Sequence, residues 1–153
     1  MEVEARLSEL GIELPPPPQP VASYVPVVVS GGFAFVAGQI PRVDGVMIHP
    51  GHLGLEVSVE QGQEAARLCA LQALSALRAG LDGFERLKRV VKVEVFVASV
   101  PGFTDQPAVA NGASDVLAEV LGDAGIHARA AIGVVELPLG ACVELTMVAE
   151  VAA

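Results

Sequence analysis

At 153 residues, with 52% hydrophobic content drawn mainly from Ala and Val, the chain is long enough for one domain with a full core. A formal net charge of −9 and the lack of any Lys/Arg run exclude the basic stripe that a nucleic-acid surface needs. No apolar run approaches the roughly 18–20 residues of a membrane helix, and the acidic, amphipathic start MEVEARLSEL is unlike a secretory signal, so a cytoplasmic protein is expected.

Residues 2–10 read as a short helix closed by Gly11, and the five prolines within residues 14–20 exclude helix and central strand there. An N-terminal helix and proline-rich arm over residues 1–20 therefore precede a single domain over 21–153. Residues 23–29 and 33–37 predict two strands around the turn Ser30-Gly31-Gly32. Residues 42–57 predict a loop with one short strand. The clearest helix spans 58–81: Ser58 caps it, and Glu60 and Glu64 lie near its positive end. Leu68, Leu71, Leu74 and Leu77 give it a broad apolar face, and Gly80 or Gly83 closes it. A strand over 90–98 and a second helix over about 107–121 follow, then strands over 131–137 and 141–151, read as a pair around Pro138-Leu139-Gly140. The order β-β-α-β-α-β-β describes an α+β fold, an antiparallel-rich mixed sheet with two helices on one face.

Alternation sorts the strand faces. Val143, Leu145, Met147, Ala149 and Val151 belong to the helix-covered core, and Cys142, Glu144, Thr146, Val148 and Glu150 to the opposite side. In the preceding strand Val91, Val93, Val95 and Val97 point one way, Lys92, Glu94 and Phe96 the other. That second face is mixed, and two helices cannot cover both sides of a sheet, so a homo-oligomer is expected.

From Val93 onward Arg129 is the only Lys or Arg, against eight Asp and Glu. A guanidinium offers a fixed fork that matches a carboxylate in two places. On position alone, an ion pair with one of those acids is the plainer reading. Glu144 stands out on an otherwise apolar strand, although an exposed strand carboxylate is the commoner case there. Of the three histidines, His49, His52 and His127, the first two share a loop as His49-Pro-Gly-His52, but spacing places no third metal ligand beside them. Cys69 and Cys142 each sit in an apolar stretch and read as buried structural thiols. No Walker loop, GxSxG or GxGxxG occurs.

Two segments carry a resemblance. Phe35-Val36-Ala37-Gly38-Gln39-Ile40-Pro41 is similar to the "(S/A)GQIP" segment of the RidA, or YjgF-like, reactive intermediate deaminases, a superfamily whose older name is L-PSP endoribonuclease-like. Ala128-Arg129-Ala130-Ala131-Ile132-Gly133-Val134-Val135-Glu136-Leu137-Pro138, followed by Val143-Glu144-Leu145, resembles that family's C-terminal signature. The resemblance covers about residues 20–151, and the N-terminal arm looks like a side branch of the superfamily. It implies a chorismate-mutase-like fold assembled as a homotrimer, with ligand pockets between subunits. It also implies hydrolysis of reactive 2-enamine or 2-imine acids, formed by pyridoxal-phosphate-dependent dehydratases, to 2-oxo acids and ammonia, without cofactor or metal. In that picture Arg129 holds the substrate carboxylate and Glu144, fifteen residues on, positions or activates the attacking water. Tyr24, Gly38 and Asn111 line the pocket, the Asn111 match requiring an insertion before it. Ala131 stands where many members have Cys, at a position used mainly through its backbone. The alternative is a non-catalytic oligomer that binds small carboxylates as a sensor or pathway accessory.

Overall fold

The computed structural model describes residues 2–19 and 22–153. Helix α1 (Val3–Leu10) ends where Gly11 takes φ 66°, a left-handed angle that glycine adopts without strain. Its Val3 and Leu7 are buried in the same core as the rest of the chain, as is Leu14. The proline arm is pinned from below: the buried Ser75 hydroxyl donates to the Pro15 carbonyl at 2.6 Å. The boundary expected between residues 20 and 21 falls on Pro20 and Val21, outside the described residues.

Strands β1 (Val27–Ser30) and β2 (Phe33–Gln39) form the expected hairpin, but β1 begins four residues later than the sequence suggested. Pro26, with no N–H to give a ladder, offers only its carbonyl, which accepts from the Ala37 N–H. Two short strands, β3 (Arg42–Val43) and β4 (Val46–Met47), form a separate hairpin where the sequence suggested a loop with a single short strand. Helix α2 (Val59–Gly80) starts on a full capping box: Gln61 N–H donates to Ser58 Oγ at 3.1 Å and Ser58 N–H to Gln61 Oε1 at 2.9 Å. Strand β5 (Leu87–Ala98), helix α3 (Gln106–Leu121), β6 (Ala128–Val134) and β7 (Val143–Val151) complete the chain.

The main sheet has the order β1-β2-β7-β5-β6. The last two strands are therefore not a pair. β7 lies antiparallel between β2 and β5, while β6 runs parallel to β5 at the sheet edge. A parallel neighbour needs a long crossover, and α3 supplies it. β7 alternates as expected, with Val143, Leu145, Met147, Ala149 and Val151 all buried. In β5 the alternation slips: a register shift between Val90 and Lys92 puts Val90, not Val91, beside Val93 in the core.

Helix α2 packs over β7 and β2, and α3 over β5 and β6. The two helices approach closely because Gly112 of α3 lies against the Gln63 backbone, where any Cβ would collide with the carbonyl. The other sheet face keeps Phe33, Phe35 and Val28 exposed.

Candidate functional site

Glu144 stands on β7 opposite Phe96 of β5, so it projects from the open face of the sheet. Beside it, the β2–β7 register shifts between Val36 and Gln39, and Ala37 and Gly38 lie in that irregular stretch. What glycine at 38 supplies is close approach rather than a special dihedral angle: a Cβ there would stand 3.0 Å from Glu144 Cδ and 3.1 Å from Oε2. The carboxylate thus lies against bare backbone. It is half-buried, accepts no hydrogen bond among the described residues, and burial raises its pKa above the ordinary carboxylate value. Tyr24 is 55% exposed and, with Val28, Phe35 and Gly38, walls the same open depression as Glu144. Tyr24 and Gly38 also border a neighbouring cavity of about 300 Å³ roofed by Pro16, Pro18 and Gln19 of the arm.

The cysteines take no part. Both are buried, and burial pushes the Cys69 thiol well above its ordinary value and that of Cys142 to about 11. His49 Nε2 meets Glu64 Oε2 at 2.9 Å. His52 Nε2 meets the Val135 carbonyl at 2.9 Å and Glu136 Oε2 at 3.2 Å. The hydrogen bond to Val135 raises the His52 pKa most, and Glu136 and Glu56 add to it, while partial loss of solvent works in the opposite direction.

Arg129 is built differently. It pairs with Val93 of β5, a core residue, so it leaves β6 on the helix-covered side. Because β6 is an edge strand, the guanidinium reaches past the core to α3 and remains exposed. Its Nη1 donates to Asn111 Oδ1 at 2.8 Å and to Ser114 Oγ at 3.1 Å. No carboxylate lies within ion-pair distance of Arg129 among the described residues, so the ion pair that position alone favoured is not formed. Ala131, two residues on and half-buried, faces the same way. Ser114 also meets His127 Nε2 at 2.9 Å. Neither Ser114 nor His127 was singled out from sequence as a partner of Arg129. The signal was present in their spacing: Asn111 and Ser114 are i and i+3 on a helix, His127 and Arg129 i and i+2 on the strand.

The six expected residues therefore fall into two groups. Tyr24, Gly38 and Glu144 meet on the open face, and Arg129, Asn111 and Ala131 meet at the α3 edge. Within one chain the groups are separate. Ile132, three residues beyond Arg129, is level with Phe96 and hence with Glu144, two strands away. Three residues of about 3.3 Å and two strand spacings of about 4.8 Å put the two backbones roughly 14 Å apart. Their side chains also leave opposite sides of the sheet.

Comparison with known proteins agrees with this architecture. A family model described as "YjgF/chorismate mutase-like, putative endoribonuclease" matches residues 4–151. Protein TCP17 of Trypanosoma cruzi is 48% identical over 149 residues, 97% of this chain and 93% of that protein. The crystal structure of Atu1372 from Agrobacterium tumefaciens superposes with a TM-score of 0.90 at 44% identity, covering 98% of this chain and 92% of the other. A "putative endoribonuclease" from Shewanella oneidensis superposes with a TM-score of 0.91 at 30% identity, covering 97% and 98%. With its mixed sheet, its helix-covered face and its two signature segments in place, the chain belongs to the YjgF/chorismate mutase-like family.

Proposed function

We propose that this protein hydrolyses reactive 2-enamine and 2-imine acids to 2-oxo acids and ammonia, in sites completed between subunits of a homotrimer. The observation that carries the reading is the division of the site. A cation without a carboxylate partner and a half-buried carboxyl group lie roughly 14 Å apart on opposite sides of one sheet. Neither half is a site for a small imino acid. A second copy, seated on the exposed Phe33, Phe35 and Val28 face, would bring its own Arg129 edge to this chain's Glu144.

The chemistry follows from the groups. Arg129 holds the substrate carboxylate and so fixes the imine carbon, which is already electrophilic. A water enters beside Glu144. As its oxygen bonds to the imine carbon, Glu144 takes a proton from it. The same carboxyl returns that proton to nitrogen, giving a carbinolamine; it then takes the hydroxyl proton as the carbonyl forms and passes it to the departing nitrogen, so that the C–N bond breaks and ammonia and the 2-oxo acid leave. An enamine first gains a proton at its β-carbon to become the imine. The upward pKa shift at Glu144 suits a group that must both accept and donate.

The test is ammonia release from 2-iminobutanoate generated in situ by a threonine dehydratase. Acceleration by the wild-type protein and its loss in Glu144→Gln is the expected result; no acceleration by the wild type would overturn the assignment. A non-catalytic carboxylate binder is the second reading, favoured by the lack of any hydrogen bond orienting Glu144 among the described residues. It predicts binding of 2-oxo acids without turnover. RNA cleavage finds no support in a chain of net charge −9.

A further inference from the structure

Two nitrogens of Arg129 remain to be accounted for, and its neighbours say how they are aimed. Both hydrogen bonds that Arg129 makes among the described residues leave from Nη1, one to Asn111 Oδ1 and one to Ser114 Oγ. Nη1 carries two hydrogens, so both are spent there. The direction of the next link is set by proton inventory. The Gly125 carbonyl can only accept, so His127 Nδ1, 2.6 Å away, must carry the hydrogen. In the neutral ring Nε2 then holds a lone pair and accepts from the Ser114 hydroxyl at 2.9 Å. With its own proton committed to His127, Ser114 Oγ can only accept from Arg129. With the ring neutral, the chain Arg129→Ser114→His127→Gly125 has one polarity, running from a guanidinium that can only donate to a carbonyl that can only accept.

We propose that Ser114 and His127 are positioning residues that clamp Arg129 by its Nη1, so that the Nε–Nη2 edge, and not the Nη1–Nη2 end, receives the substrate carboxylate. The inference rests on the carboxylate-clamp reading above and adds an orientation to it. An untethered arginine offers either edge and samples many rotamers. One held at Nη1 offers a single two-donor edge whose plane is set by α3. That fixes the direction from which the carboxylate, and with it the imine carbon, approaches the subunit that carries Glu144.

The test uses the full chain. In calorimetric titration with 2-oxobutanoate, Ser114→Ala should weaken binding about ten-fold, the scale of one hydrogen bond to a charged group. Ser114→Thr, which keeps the hydroxyl, should restore it. In an Arg129→Lys background, which has no fork to orient, Ser114→Ala should cost nothing further; equal cost in both backgrounds would overturn the proposal. A second readout needs no ligand. Tethering at Nη1 hinders rotation about the Nε–Cζ bond, so Arg129 should show separate Nη1 and Nη2 resonances in 15N spectra, merging in Ser114→Ala and in His127→Phe. If wild type fails to bind 2-oxobutanoate yet shows split resonances, the carboxylate reading fails and the clamp stands. If it binds and the resonances are merged from the start, the clamp fails alone. Ala favours helix more than Ser does, so loss of α3 is not the expected result of Ser114→Ala, and an unchanged far-UV spectrum checks it.

Discussion

Gly38→Ala separates catalytic geometry from folding more sharply than any other single change. The new Cβ would stand 3.0 Å from Glu144 Cδ and 3.1 Å from its Oε2. Ordinary carbon–carbon contact begins at about 3.5 Å, so the carboxylate must retreat by a few tenths of an ångström. What yields is the far end of a side chain, which costs folding little, and Gly38 does not occupy a positive φ that would strain Ala. Restriction of the unfolded chain offsets the remaining cost by about 0.4–1 kcal/mol. Melting temperature should therefore stay within about 4 °C of wild type. Misplacing a reacting group by about 1 Å costs on the order of 100-fold in rate, so a shift of a few tenths should cost roughly 3–10-fold, or about 0.7–1.4 kcal/mol of barrier. Coupled ammonia-release kinetics should show that loss in kcat/KM. An unchanged kcat/KM at an unchanged melting temperature would refute the claim that Glu144 acts from its place against residue 38. Gly112→Ala is the contrast: its Cβ meets the Gln63 backbone, which cannot swing aside, so folding itself should fail.

Titration gives two further expectations. Burial raises the Glu144 pKa, so the folded state holds that proton more tightly than the unfolded chain and its charge is a cost that grows as pH rises above the ordinary value of 4.5. Glu144→Gln should accordingly raise the melting temperature near pH 8 and change it little near pH 4; stabilisation only at the acid end would contradict the burial argument. His52 runs the other way. Its pKa is raised by the Val135 carbonyl and by Glu136 and Glu56, so its contribution is fully present below the ordinary 6.5 and is lost as pH climbs through the raised value. Thermal melts of His52→Ala against wild type should differ more near pH 5.5 than near pH 9, and a constant difference would show that the charged form adds nothing.

Local patterns in the sequence carried far. Ser58 with Gln61, and leucines at three-residue spacing, define α2 because capping and amphipathic faces are settled within a few residues. The alternation of β7 survives intact, since each of its residues has the same kind of neighbour on its own face. Non-local choices were not readable. Nothing in residues 128–151 says that β6 turns away from β7 to pair with β5 across α3, because pairing partners are decided by the whole sheet. The slip at Val90 is invisible in a run of valines, where one extra residue swaps the faces without changing composition. At the site, the two signature segments marked Gly38, Arg129 and Glu144. That Arg129 and Glu144 leave opposite sides of the sheet needed the register of β5, β6 and β7 together. Ser114 and His127 escaped because, although their spacings place them beside Asn111 and Arg129, only the packing of α3 on β6 brings the helix and the strand together.

The central claim is that Arg129 of one copy serves Glu144 of another, and subunit mixing tests it. Arg129→Ala and Glu144→Gln should each be inactive as pure proteins while keeping the wild-type assembly size by light scattering. Co-refolded in equal amounts, they should recover about a quarter of wild-type activity, because in random assemblies that share of interfaces joins an intact Arg129 to an intact Glu144. If the mixture stays as inactive as its parents while mass spectrometry shows mixed assemblies, the site is not shared between subunits and the account is wrong.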